Sequence, residues 1–202
     1  MTALADIRAA LVRLARYDDE SIVHDEWIRQ RYTGGYAATY RPARTSAVIT
    51  AWHEAGHAVA ALTAGVRFSS ASIRQGSAGQ GRVHKIQGGS FVIDAAGQVA
   101  EGLRDWSLPT SDSEVAAFLA GWRDDGGDAW RFRSGLRARF GSDEAAAWRH
   151  AADVLTPLRW QIRHLARALL VHPTFIRYDV AAALYHDANS VMSASTVSAP
   201  AS

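Results

Sequence analysis

Three polar side chains lie within one turn of an alanine-rich stretch, TAWHEAGHAV, at residues 50–59. His53 and His57 are four residues apart, so both imidazoles project from the same face of a helix. Two imidazoles at this spacing can bind one zinc ion, and Glu54 can accept a proton from a zinc-bound water. The H-E-x-x-H pattern therefore predicts a hydrolytic zinc site with Glu54 as general base. A chance match on a surface helix is the alternative, and it is uncommon in a chain with eight histidines.

Composition restricts the remaining ligands of such a site. The sequence has no cysteine, so imidazole and carboxylate groups must hold the metal, which favours zinc or a similar first-row ion. A catalytic zinc usually has three protein ligands and one open position. The motif at 53–57 does not continue as H-E-x-x-H-x-x-G-x-x-H, so the third ligand must lie farther along the chain.

Several downstream carboxylates could complete the site. They are Asp112, Glu114, Asp124, Asp125 and Asp128. Ser111 and Glu114 have the spacing of a capping box, so helix capping explains the first two. The next two precede a Gly-Gly pair, where a turn explains them. Asp128 either caps the helix that follows or binds the metal, because the two glycines allow its backbone to approach a neighbouring helix.

The motif needs a helix that positions both imidazoles. The sequence predicts this helix over 46–65, with Ser46 as the N-cap and Gly65 as the stop signal. Ala55, Gly56, Ala58 and Ala60 are small and let other elements approach closely. Gly56 inside a helix costs about 1 kcal/mol relative to alanine, so we expect a packing or functional reason for it.

The periodicity of the whole chain predicts a mainly α fold with a small β-hairpin. The predicted helices cover 3–17, 21–31, 91–106, 111–122, 128–140, 143–171 and 178–186, with a new start or a kink at Pro157. The segments VRFSSASIRQ and QGRVHKIQ flank the turn GSAGQG and predict the hairpin. The small, polar tail at 188–202 predicts disorder.

The remaining histidines and the tryptophans have simpler interpretations. Surface or helix-capping positions are expected for His84, His150, His164, His172 and His186. Five tryptophans recur within helical patterns, so we expect them in the core rather than on a binding surface. They are Trp106, Trp122, Trp130, Trp148 and Trp160.

The stretch HEAGHAVAALTAG resembles the zinc motif H-E-A-G-H-A of the peptidase domain of FtsH, a family of ATP-dependent zinc metalloproteases. The similarity continues in order over residues 44–186. VRFSSASIRQGSAGQGRV is similar to the strands and turn that border the family's substrate cleft, and AAGQVAEGL is similar to its G-G-R-A-A-E-E helix. GGDAWRFRSGLRARFG is similar to the segment whose aspartate is the third zinc ligand.

The resemblance implies that His53, His57 and Asp128 bind one zinc ion. It also implies a helical zinc peptidase domain at 44–187, between an N-terminal helical extension at 1–43 and the tail at 188–202. Glu101, in QVAEGL, is expected either to orient a ligand histidine, as outer carboxylates do, or to be an ordinary exposed residue.

The sequence departs from the family in its accessory modules. FtsH proteins carry transmembrane helices and an AAA+ ATPase, whereas the printed sequence has no apolar run of about 18 residues. The only lysine, Lys85, lies in VHKIQG and not in a Walker A loop. We therefore expect a soluble, cytoplasmic protein without its own ATPase, which acts on accessible segments or with a separate AAA+ unfoldase. Because FtsH peptidase domains assemble as hexamers, the resemblance also admits a homo-oligomer.

These features predict a zinc metalloendopeptidase that hydrolyses unfolded or accessible protein segments. The alternative is a weak or inactive peptidase-like zinc protein that serves as a regulator or adaptor, which the missing ATPase and the additional N-terminal helices motivate. Nucleic-acid binding is a weaker third expectation. The basic residues are nearly all arginines, but they are scattered among acids and the net charge is only +2.

Overall fold

The computed structural model describes residues 4–19, 44–73, 81–84, 86–122, 127–173 and 175–197. They form a mainly helical domain with a small three-stranded antiparallel sheet, which confirms the predicted fold class at this level. The helices are α1 (Leu4–Arg13), α2 (Arg44–Thr63), α3 (Phe91–Asp105), α4 (Asp112–Gly121), α5 (Asp128–Phe140), α6 (Glu144–Leu155), α7 (Arg159–Val171) and α8 (Tyr178–Val197). The strands are β1 (Ser70–Ser72), β2 (Arg82–His84) and β3 (Ile176–Arg177).

Helix α2 carries the H-E-x-x-H motif and packs against both α3 and α7. Gly56 lies where α2 meets α3, and a Cβ atom at this position would stand 2.3 Å from the carbonyl oxygen of Ala96. Contact this close needs a residue without a side chain, which is the packing reason expected for the glycine. Gly65 ends the helix as predicted, with a φ of 68°. Ser46 already lies inside α2, so its predicted role as the N-cap is wrong.

The sheet has the order β2-β1-β3, so β2 is an edge strand among the described strands. Strands β1 and β2 pair antiparallel with Ala71 opposite Val83, which confirms the predicted pairing of the two segments. The predicted turn GSAGQG covers 76–81, and all of it except Gly81 lies outside the described part of the chain. Strand β3 was not predicted, because two residues that pair with β1 just before a helix leave no periodic signal.

Pro157 divides the region predicted as one broken or kinked helical stretch. It lies in a short 3₁₀ turn, Thr156–Leu158, between α6 and α7. Proline fits the first turn of a helix because the amide hydrogen that it lacks has no partner there. The result is two separate helices, of which α7 packs on α2 and α6 packs on α3.

Helix α1 packs on α7, so the first part of the N-terminal extension docks on the body of the domain. Asp19 is buried and accepts hydrogen bonds of 2.8 Å from Arg167 Nε on α7 and 2.9 Å from Trp52 Nε1 on α2. The guanidinium of Arg167 also donates to the backbone carbonyls of Ala15 and Tyr17. The helix predicted at 21–31 lies outside the described residues.

Two further expectations need correction. Helix α8 continues to Val197, so the final helix is longer than predicted and the first part of the tail at 188–202 is helical rather than disordered. Trp148 is buried, but Trp106 is 71% exposed, Trp130 is 53% exposed and Trp160 is 36% exposed, so the predicted core position is wrong for these three. Trp106 stacks instead on the guanidinium of Arg159, 4.2 Å from the ring centroid.

Candidate metal centre

Three side chains from two helices meet at one point. His57 Nε2 lies 3.0 Å from His53 Nε2, and Asp128 Oδ2 lies 3.1 Å from His53 Nε2 and 3.0 Å from His57 Nε2. A tetrahedral zinc ion with bonds of about 2.0–2.1 Å separates its ligands by about 3.3 Å, so the triangle needs only a small expansion to accept one. His53, His57 and Asp128 therefore form a group that could hold a metal ion.

Helix α5 brings Asp128 to the histidines because it packs on α3. Phe132, one turn after Asp128, is fully buried and its ring meets that of Phe91 at the start of α3. Asp128 is itself the first residue of α5, and its Oδ2 lies within hydrogen-bonding distance of both imidazoles. The side chain therefore does not act as a simple N-cap, which was the alternative interpretation of this residue.

The ring nitrogens opposite the triangle are both occupied. His53 Nδ1 lies 2.7 Å from Glu101 Oε1, and His57 Nδ1 lies 2.6 Å from the carbonyl oxygen of Ile93. Since these oxygens can only accept, the Nδ1 atoms donate, and each Nε2 offers its lone pair to a metal once it carries no proton. Of the two roles considered for Glu101, the contact with His53 fits the first, since Glu101 can orient the ring of this candidate ligand.

Gly97 on α3 forms the wall behind the histidines. A Cβ atom at this position would stand 2.5 Å from His53 Nε2 and 2.6 Å from His57 Nε2. These are distances that atoms do not adopt without a shift of one group, so the wall must be a glycine if both rings are to keep their positions. Sequence reasoning did not identify Gly97, although a glycine within AAGQVAEGL is the signal that could have done so.

The pKa values of His53 and Asp128 are shifted by burial and by the close approach of their charged neighbours. Burial disfavours the charged form of His53, but hydrogen bonds with Asp128 and Glu101 outweigh this effect and raise its pKa to about 10. Burial would raise the pKa of Asp128, yet hydrogen bonds from His53 and His57 hold it far below its ordinary value. In the absence of a metal, the site therefore retains a proton between imidazole and carboxylate, which a divalent ion has to displace.

Glu54 is buried beside the triangle without belonging to it. Burial raises the pKa of its carboxyl group, while the nearby imidazoles and a hydrogen bond from the backbone N–H of Val83 act in the opposite direction. Gly81, just before β2, lies so close that a Cβ atom there would stand 2.7 Å from Glu54 Cγ. The edge strand β2 therefore passes directly over the predicted general base.

Two polar residues near the triangle were missed by sequence reasoning. Arg131 Nη2 donates to Asp128 Oδ1, the carboxylate oxygen that faces away from the histidines. Arg131 Nε also lies 3.5 Å from Asp94 Oδ1 on α3, and burial raises the pKa of Asp94 to about 6. The i,i+3 spacing of Asp128 and Arg131 is common on helices, so nothing in the sequence distinguished it.

Of the competing carboxylates, Asp112 and Glu114 do not join the histidines. Glu114 and Ser111 form the predicted capping box at the start of α4, and Asp112 pairs with Arg149. Asp124 and Asp125 lie outside the described residues. Of the other histidines, His150 contacts the rings of Phe91 and Phe140, and none joins the metal-binding group among the described residues.

No protein-family model matches the chain, and no curated protein sequence matches it either. Among the described helices, none is long and apolar enough to span a membrane. The function of the site therefore has to be inferred from its geometry.

Proposed function

We propose that the protein is a zinc-dependent metalloendopeptidase of the FtsH-peptidase type, which hydrolyses unfolded or accessible protein segments without an ATPase of its own. The observation that carries this proposal is the triangle of His53, His57 and Asp128 with Glu54 buried at its side. Two neutral imidazoles, one carboxylate and an adjacent carboxylate base make up the donor set of hydrolytic zinc sites.

The chemistry divides between the ion and the chain. A bound zinc ion lowers the pKa of a water ligand and polarises the substrate carbonyl. Glu54 takes the proton of the attacking water and passes it to the departing amine nitrogen. The buried position of Glu54 beside the triangle suits both steps, because a general base must lie within hydrogen-bonding reach of the reacting groups. Glu101 and the Ile93 carbonyl keep the imidazoles in the tautomer that binds metal.

Substrate binding is assigned to the edge strand β2. An extended peptide can pair with the outer edge of β2 by strand addition, which provides affinity with little sequence preference. Val83 N–H already faces the carboxylate of Glu54, so a peptide along this edge would run past the general base. This arrangement suits unfolded substrates, since folded proteins seldom present a free extended segment.

Glu54→Gln tests the role of the base without removing a metal ligand. Loss of the general base should lower the turnover of casein or of an unstructured peptide by about 10²–10⁴-fold, while one zinc per chain is retained. Asp153→Asn is the matched control, because Asp153 is an exposed carboxylate on α6. It should leave turnover unchanged.

The same pair of variants separates the proposal from its alternative. Equal turnover in wild type and Glu54→Gln would remove Glu54 from the mechanism. A zinc-loaded wild type that cleaves no unfolded protein, yet binds a partner equally well with Glu54→Gln, would favour a regulator or adaptor with a peptidase-like fold.

A further inference from the structure

Arg131 connects the two sides of the candidate metal centre. It lies on α5, one turn after Asp128, and its Nη2 donates to Asp128 Oδ1. Its Nε faces Asp94 Oδ1 on α3 at 3.5 Å. The guanidinium therefore lies between the carboxylate that completes the triangle and a carboxylate on the helix that forms the wall of the site.

The two oxygens of Asp128 have different partners. Oδ2 faces both imidazoles at 3.0 and 3.1 Å, whereas Oδ1 is held by Arg131. A carboxylate with both oxygens free can chelate a metal through both and occupy an additional coordination position. A guanidinium on one oxygen favours binding through the other oxygen alone, because a planar donor fixes the plane of the carboxylate.

Asp94 fixes Arg131 from the other side, and its position in α3 is informative. The preceding residue, Ile93, provides the carbonyl oxygen that holds His57 Nδ1. The backbone of Ile93 thus orients His57, and the side chain of the next residue, Asp94, faces Arg131. Asp94 and Asp128 are largely buried, with side chains 14% and 21% exposed, whereas the side chain of Arg131 is 52% exposed, so a half-exposed guanidinium bridges two largely buried carboxylates.

We propose that Arg131 is a positioning residue that holds Asp128 as a ligand through Oδ2 alone, and that Asp94 anchors Arg131 for this purpose. The inference rests on the proposed metal centre. Its consequence is a coordination position kept free for water, which a hydrolytic site needs.

The inference predicts whether zinc affinity rises or falls when Arg131 is replaced. Competition with a chromophoric chelator measures this affinity on the full chain. Removal of a cation beside a dication should by itself strengthen metal binding, because like charges repel. Loss of a group that orients a ligand should instead weaken binding, typically about 10–100-fold. Arg131→Met should therefore bind zinc more weakly than wild type, and Asp94→Asn should show a smaller loss in the same direction.

A matched control is available on the same helix. Arg139 is exposed near the end of α5, so Arg139→Met removes the same charge and length without touching Asp128. It should keep the wild-type zinc affinity. Far-ultraviolet circular dichroism of each metal-free variant shows whether α5 and the rest of the fold persist.

The visible spectrum of the cobalt(II) form gives a second readout that does not depend on activity. Four-coordinate cobalt absorbs strongly in the visible range, whereas higher coordination absorbs weakly. Wild type and Arg139→Met should give the strong spectrum, and Arg131→Met should give the weak spectrum of a carboxylate bound through both oxygens. Zinc affinity in Arg131→Met equal to or above wild type, or an unchanged cobalt spectrum, would overturn the inference. A wild type that binds no zinc would instead overturn the metal centre itself.

Discussion

Gly97 lies so close to His53 that a Cβ atom built on it would stand 2.5 Å from both Cε1 and Nε2 of the imidazole. The ring cannot move away freely, because Glu101 holds its Nδ1. Gly97→Ala should therefore weaken zinc affinity by about 10-fold or more, as expected when ligand orientation is disturbed. Chelator competition on the purified variant measures the loss.

The control for Gly97→Ala is Gly121→Ala. Gly121 is the last residue of α4, and a Cβ atom there would meet nothing within 4 Å. Alanine in place of a helical glycine stabilises by up to about 1 kcal/mol, so this variant should keep its zinc affinity and unfold at the same or a higher temperature. Unchanged zinc affinity in Gly97→Ala would show that the wall of the site tolerates a methyl group.

Single replacements of the ligands should abolish metal binding. Metal analysis of purified wild type should find one zinc per chain, and His57→Ala and Asp128→Ala should each contain almost none, because two ligands seldom retain zinc against buffer. His186→Ala serves as the control, since His186 is exposed on α8 and far from the triangle in sequence. Retention of zinc in Asp128→Ala would mean that another residue provides the third ligand.

The buried pair of Asp19 and Arg167 should contribute to the stability of the fold. Arg167→Met removes a 2.8 Å hydrogen bond to the buried carboxylate of Asp19 and leaves, among the described residues, Trp52 Nε1 at 2.9 Å and Arg163 Nε at 3.7 Å. Loss of a hydrogen bond to a buried charge typically costs about 1.5–3 kcal/mol. Urea denaturation of the metal-free protein measures this difference. The exposed pair of Arg177 and Asp179 provides the comparison, because Arg177→Met should cost no more than about 1 kcal/mol. Equal losses in the two variants would contradict the assigned role of Asp19.

The capping box of α4 predicts a pH dependence away from the metal. Hydrogen bonds from the backbones of Ser111 and Thr110 lower the pKa of Glu114 from 4.5 to about 2. A lowered folded-state pKa means that the stabilisation is complete above about pH 4.5 and is lost as the pH falls towards 2. The difference in melting temperature between wild type and Glu114→Gln, both with EDTA, should therefore shrink over this range. A constant difference down to pH 2 would contradict the prediction.

Local patterns were sufficient to predict most of the fold. The helix stop at Gly65, the capping box at Ser111 and the turn at Pro157 depend on neighbours within a few residues. Strand β3 and the exposure of Trp106 were missed because they depend on partners far along the chain. Trp106 is at the surface because α3 ends there in a left-handed residue, which places its ring over Arg159 on another helix.

The candidate site likewise contains residues that local spacing predicted and residues that depend on partners far along the chain. His53 and His57 are one helical turn apart, so their spacing predicted their common face, with Glu54 beside them. Asp128 required the family resemblance, since capping explained it equally well. Arg131, Asp94 and Gly97 were not predicted, because their importance arises only where α3 and α5 pack beside α2. The spacing of residues within one helix does not indicate which residues of other helices will pack against it.

The triangle of candidate ligands also joins parts of the chain that are 71 residues apart, from His57 to Asp128. In a chain without cysteine, a bound ion would act as the cross-link that closes this long loop and restricts the unfolded ensemble, much as a disulfide does elsewhere. Free zinc at 100 times its dissociation constant would then add about 2.7 kcal/mol to the free energy of unfolding. Removal of the ion would then make the domain easier to unfold by heat and easier to cleave by proteases. It would also abolish the proposed activity.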